Sequence, residues 1–217
     1  MAAATREAET AERPRGFRTG RLEAFSDGVF AIAVTLLVLD LVVPTGSEDD
    51  LLTAFLGQWP SYLAYVVSFS TIGAVWLAHS AITEYLDRVD AIFIRINLLL
   101  LLVVSFLPFP TRLLAEHIAN DSAERVAVTI YGIALLVIVA IVATLWRYAV
   151  RQALVRPDAA DEELQVLTKR LTPGLAGYGV LILVGLILPI VAVFGYLVIA
   201  VFFIIPLREI RAHLGRG

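Results

Sequence analysis

The sequence predicts an all-α, polytopic membrane protein with six transmembrane helices, and three observations carry the prediction. Hydrophobic residues make up 59% of the 217-residue chain and charged residues only 17%, a balance unlike that of a water-soluble domain. The apolar residues run in long blocks close to the ~20 residues that cross a bilayer as a helix, with the charges at the block ends. Threaded through six spans, the chain also sorts nearly all of its Lys and Arg onto one side. Little is left over for a soluble domain, so residues 21–207 are expected to form one helical bundle between an N-terminal tail, 1–20, and a C-terminal tail, 208–217. The chain has no cysteine, which removes disulfides and thiolate metal sites.

The first twenty residues are charged and Ala-rich, without the apolar run of a secretory signal peptide. The first span follows from Arg21, and its apolar part between Gly28 and Val43 covers most of a hydrocarbon core of ~30 Å. Pro44, Thr45, Gly46 and Ser47, followed by the acidic Glu48, Asp49 and Asp50, read as a polar loop. Residues 51–58 are apolar but too short to cross, so they form an interfacial turn of helix or an early start to the next span. The second span covers 59–85, with Pro60 tolerated in its first turn and Trp59 and Tyr62 as interfacial aromatics. A charged turn at 86–90 leads to the third span, 91–114, which Pro108 and Pro110 should end or kink near Phe106. The fourth span covers 125–146, and the acidic segment 158–163 reads as a solvated linker or short surface helix. The apolar stretch 171–207 is too long for one span, and Pro189 divides it into a fifth, 171–188, and a sixth, 190–207.

Positive charge decides between five spans and six. With six, every Lys and Arg except Arg112 and Arg125 falls on one side, together with both termini. The positive-inside rule makes that side the cytoplasm and places the protein in the cell membrane. Five spans would put Arg208, Arg211 and Arg216 outside, against the rule.

At the start of the first span, Arg21, Phe25, Ser26 and Asp27 form an Arg-x-x-x-Phe-Ser-Asp motif that runs straight into apolar helix. The motif resembles the signature of the transmembrane protein 175 family, the endolysosomal potassium channels and their prokaryotic relatives, and the resemblance continues to about Leu207. It implies passive conduction of potassium. Animal members of that family carry two copies of the six-span unit in one chain. The single copy here, without a second Phe-Ser-Asp, therefore implies a homotetramer, as prokaryotic members form.

Ile32, Thr35, Leu36 and Leu39 fall at i, i+3, i+4 and i+7, on one face of the first span. By itself such a stripe is usually packing or lipid contact. The resemblance turns it into pore lining, because prokaryotic members are understood to place three aliphatic layers in the first helix, and Ile32, Leu36 and Leu39 match that spacing. Four copies would close an apolar constriction that gates by dewetting. Thr35 adds a ring of hydroxyls, and Asp40, one turn beyond Leu36, would lie at the outer mouth, where a carboxylate attracts cations. At the cytoplasmic side the topology brings Arg21, Phe25, Ser26 and Asp27 to the level of Trp76 and His79 in the second span and Asn97 in the third. Polar groups at that depth need partners, so an interhelical hydrogen-bond cluster is expected. His79 would be its titrating member, able to bias opening together with Arg21 and Asp27.

Several absences narrow the function. There is no Thr-Val-Gly-Tyr-Gly carbonyl filter, so selectivity cannot arise as it does in the common potassium channels. No phosphate loop, zinc-protease pair or nucleophile elbow occurs and the three histidines are scattered, so no enzyme activity, no cofactor and no metal beyond permeant potassium are expected. The expected partners are further copies of the chain and the lipid bilayer, with no nucleic acid. A secondary transporter is the rival reading, but it would show paired interrupted helices and charges near the midplane. A membrane scaffold is the other, and it predicts no ion flux at all.

Overall fold

The computed structural model describes residues 19–42, 50–118, 123–158 and 161–205, and the predicted tails, apart from Thr19 and Gly20, and the loop residues 43–49 lie outside them. Among the described residues all regular structure is helical except isolated bridge positions such as the Leu86–Val155 pair. Helix α1, Thr19–Leu36, tightens into a 3-10 turn over Leu37–Asp40. The segment at 51–58 becomes a separate helix α2, Leu51–Gly57, which buries no residue and is capped by Asp50, whose side chain accepts from the Thr53 amide at 3.2 Å. Helix α3, Trp59–Glu84, carries Pro60 in its first turn, where a missing N–H costs nothing.

Helix α4, Ala91–Phe106, starts on Asp90, which accepts from the Phe93 amide at 2.7 Å. It breaks at Leu107 as expected, because Pro108 and Pro110 have no N–H to continue the ladder. The Thr111 hydroxyl takes up the Leu107 carbonyl at 2.8 Å, and α5 proceeds over Pro108–His117. The last three helices are α6, Glu124–Arg151, α7, Asp161–Gly185, and α8, Pro189–Ile204.

Two boundaries differ most from the sequence reading. Helix α6 runs past Trp146 because Trp146 and Ala149 are both core residues, fully enclosed by neighbouring helices. It ends on Ala153 in the left-handed conformation, φ 49°, with the Leu154 amide bonded to the Ala149 carbonyl at 3.0 Å and the Ala153 amide to Val150 at 3.2 Å. Helix α7 starts at Asp161, ten residues before the expected fifth span, so the acidic segment is in part the first turn of a long helix. Residues 161–163 of that segment thus belong to the helix and not to a linker.

Four of the helical runs are long and apolar enough to cross a membrane: Thr19–Asp40, Trp59–Glu84, Ala91–His117 and Glu124–Arg151. Two shorter apolar helices, Gly174–Gly185 and Pro189–Ile204, follow. Helix α6 is the hub, packed against α4, α5, α7 and α8, with Tyr131 and Trp146 buried along it. Helix α1 lies at the edge of the bundle and packs chiefly on α3 and α4. At the end of the bundle marked by Arg21, an antiparallel bridge of Leu86 with Val155 ties the α3–α4 turn to the chain after α6. The Asp87 amide donates to Leu154 at 2.9 Å, the Arg156 amide to Tyr85 at 2.8 Å, and the Tyr148 hydroxyl to the Asp90 carboxylate at 2.6 Å.

Candidate functional site

Helix α1 is divided lengthwise. Ser26, Phe30, Ala33 and Leu37, spaced four, three and four apart, form the stripe that it buries against α3 and α4. On the opposite side Ile32, Leu36 and Leu39 are 61%, 41% and 67% exposed, and Thr35 is exposed between them. All four side chains of the predicted stripe thus share the uncovered face. The 3-10 turn strengthens this, because at three residues per turn Leu36 and Leu39 eclipse one another. The Thr35 hydroxyl donates to the Ile32 carbonyl at 2.9 Å. With its hydrogen committed to the backbone, the oxygen keeps its lone pairs for a cation or water.

The helix stands as a ridge between two grooves. One, toward α3 and the end of α8, is lined by Asp27, Ala31, Val34, Gly73, Trp76 and Ile204. The other, toward α4, is lined by Phe25, Val29, Ile32, Leu98, Leu102 and Ser105.

The predicted polar cluster resolves into two ties and two outliers. Ser26, His79 and Asn97 are all buried, with the Asn97 amide nitrogen donating to the Ser26 hydroxyl at 3.0 Å and Asn97 Oδ1 lying 2.8 Å from His79 Nε2. Since the Asn97 oxygen is the group facing His79, Nε2 carries the proton and donates. The Phe30 ring covers the imidazole with centroids 5.5 Å apart. The second tie is separate: the Trp76 indole donates to the Asp27 carboxylate at 2.9 Å on the groove side of α1. Together the two ties hold α1 to α3 and α4. Arg21 and Phe25 join neither, although they line a cleft that reaches Asn97, and Phe25 is exposed on the face with Ile32.

A third polar group was not anticipated. The Ser68 hydroxyl lies 2.8 Å from both Thr111 Oγ1 and the Tyr131 hydroxyl, and all three residues are buried at the junction of α3, α5 and α6. Thr111 spends its hydrogen on the Leu107 carbonyl, so the order of donation runs Tyr131 to Ser68 to Thr111 to Leu107. A serine in the interior of an apolar span was the available signal, since such a hydroxyl needs a partner.

At the other end of α1, Asp40 closes the 3-10 turn, half-buried, and α5 packs against that turn. On α5, Arg112 Nε donates to Glu116 Oε1 at 2.8 Å, and both side chains are more than half exposed.

The family described as "Endosomal/lysosomal potassium channel TMEM175" matches residues 21–108, a stretch that contains every predicted site residue from Arg21 to Asn97. A potassium channel of Chamaesiphon minutus is 43% identical over 170 residues, 76% of this chain and 83% of that protein. One of Streptomyces collinus is 46% identical over 134 residues, 61% of this chain and 65% of that one. The crystal structure of a lysosomal potassium-selective channel TMEM175 homologue from Chamaesiphon minutus matches with a TM-score of 0.78 at 39% identity, covering 85% of this chain and 95% of that one. The chicken endosomal/lysosomal proton channel TMEM175 is 34% identical over 139 residues, 60% of this chain but only 27% of that protein. The long helical match at this identity, and the motif at the head of α1, identify the chain as a membrane protein that belongs to the TMEM175 family.

Proposed function

We propose that the protein is a potassium-selective channel, conducting passively through a pore lined by α1 from each of four subunits. The observation that carries this reading is the uncovered face of α1: a helix at the edge of its subunit, held on one side by the buried Asn97–Ser26 bond, leaves Ile32, Thr35, Leu36 and Leu39 unpartnered on the other. In a fourfold assembly these positions become rings around an axis. Ile32, Leu36 and Leu39 form a narrow apolar throat that excludes water when closed, while the Thr35 oxygens offer the hard ligands that potassium accepts as it sheds water. The potassium-channel names of the bacterial relatives support the choice of ion. The family is one of ion channels, and the chain is not an enzyme.

Each subunit crosses the cell membrane six times in this reading, with residues 21–207 as the channel unit and the tails 1–20 and 208–217 in the cytoplasm. The crossings are α1, α3, α4 with α5, α6, α7 and α8, and the apolar runs of the last two, Gly174–Gly185 and Pro189–Ile204, are short. The Ser26, Asn97 and His79 chain and the Asp27 to Trp76 bond set the rotation of α1 and so decide which residues face the axis. Substituting Ile32→Asn or Leu36→Asn should wet the throat, raising leak and lowering the preference of potassium over sodium in bilayer recordings. Unchanged permeability ratios in both variants would remove the throat assignment.

A further inference from the structure

We propose that Arg112 sets the cation affinity of the pore mouth at the Asp40 end, by neutralising a carboxylate that belongs to the pore helix. The inference rests on the assignment of α1 to the pore. Asp40 is the last residue of the 3-10 turn that caps α1, so in a fourfold assembly its carboxylate stands at the rim of the throat. Helix α5 packs on that turn and carries Arg112 within electrostatic reach of Asp40, with Glu116 in reach as well. Among the described residues no donor bonds the Asp40 side chain directly, so Arg112 acts on it through space. Its guanidinium is meanwhile held in place by Glu116 one turn along, at 2.8 Å.

Arg112 is one of only two basic residues that the six-span threading puts at this end of the bundle. Asp40, Glu116 and Arg112 together contribute one net negative charge per subunit, beside the acidic Glu48, Asp49 and Asp50 that follow the first span. A ring of such charge concentrates potassium at the mouth, and Arg112 weakens it. Glu116 has two effects: it adds negative charge, and it keeps the arginine turned along α5.

The effect is electrostatic at a distance, so its signature is dependence on ionic strength and on the side from which ions arrive. At 10 mM salt the screening length is about 30 Å and at 1 M about 3 Å. Removing one positive charge per subunit at the mouth should therefore raise the potassium current arriving from the Asp40 side about threefold or more at 10 mM. It should leave the current at 1 M, and the current from the Arg21 side, nearly unchanged.

The test is single-channel recording in excised patches from cells expressing the full chain, with potassium lowered on one face at a time. Arg112→Gln is expected to increase the current from the Asp40 side at low potassium, and Glu116→Gln and Asp40→Asn to decrease it. All three changes should vanish at 1 M salt. Wild-type channels whose asymmetry is unchanged by Arg112→Gln and Glu116→Gln overturn the role of Arg112 and leave the pore intact. Absence of any potassium current in the wild type overturns the pore assignment and this inference together.

Discussion

Asn97→Ala tests how α1 is held. Asn97 is 2% exposed, donates to Ser26 at 3.0 Å and accepts from His79 at 2.8 Å. Its truncation leaves a buried hydroxyl without its donor and a buried imidazole N–H without its acceptor. Unpaired buried groups cost about 1–3 kcal/mol each in water-soluble proteins, but hydrogen bonds between membrane helices average only ~0.6 kcal/mol because the alternatives also find partners. A loss of about 1–3 kcal/mol for the two bonds together is therefore expected. At roughly 2–4 °C per kcal/mol for a chain of this length, the middle of that range lowers the melting temperature by about 4–8 °C. The assay is thermal unfolding in detergent, followed by intrinsic tryptophan fluorescence, for Ser26→Ala, Asn97→Ala and the double variant. Because the two residues share a bond, the double variant should lose less than the sum of the singles, by about 0.5–1 kcal/mol. Strict additivity, or an Asn97→Ala variant as stable as the wild type, would refute the claim that this chain of hydrogen bonds fixes α1.

Two further substitutions test the packing behind the site. Among the described residues the buried Tyr196 hydroxyl has no hydrogen-bond partner, and it presses on Gly132 of α6, where an added Cβ would collide with it. Tyr196→Phe should therefore raise the melting temperature or leave it unchanged. Gly132→Ala should cost about 1–2 kcal/mol of stability and lower the melting temperature, and Tyr196→Phe should recover part of that loss. Ala153 holds a left-handed conformation, φ 49°, at the end of α6. Ala153→Gly removes a strain of roughly 1 kcal/mol there, and a destabilised Ala153→Gly in the same melting assay would contradict that reading.

The parts of the fold legible in the sequence are those fixed by local chemistry. Pro60 marked the first turn of α3, Pro108 and Pro110 the break after Phe106, and Pro189 the turn into α8, because a missing N–H acts wherever it falls. The stripe at Ile32, Thr35, Leu36 and Leu39 was legible by spacing, and its uncovered face follows from Ser26, Phe30, Ala33 and Leu37 taking the other side. Depth along the spans placed Ser26, His79 and Asn97 at one level, where they share hydrogen bonds, but depth does not give rotation. Arg21 was therefore grouped with residues it does not bond, and Asp27 pairs with Trp76 on a different side of the helix from His79.

Less legible was whatever depends on distant partners. Ser68 meets Thr111 and Tyr131 across 43 and 63 residues of chain, and no local pattern announces that. Helix α6 outruns its apolar block because Trp146 bonds Thr168 of α7 at 2.7 Å and packs edge-on to Tyr85, which makes the last turn part of the core. The start of α7 was hidden by its acidic first turn, since charge reads as solvent exposure before it reads as a helix end.

Potassium flux from proteoliposomes containing the purified protein, with sodium substituted for potassium across the same gradient, bears most directly on the channel itself. Fast, passive, potassium-favouring flux that needs no second ion is the expected result. Slow flux that stops when a coupled ion is withdrawn, or equal rates for potassium and sodium, would contradict a potassium-selective pore built on α1.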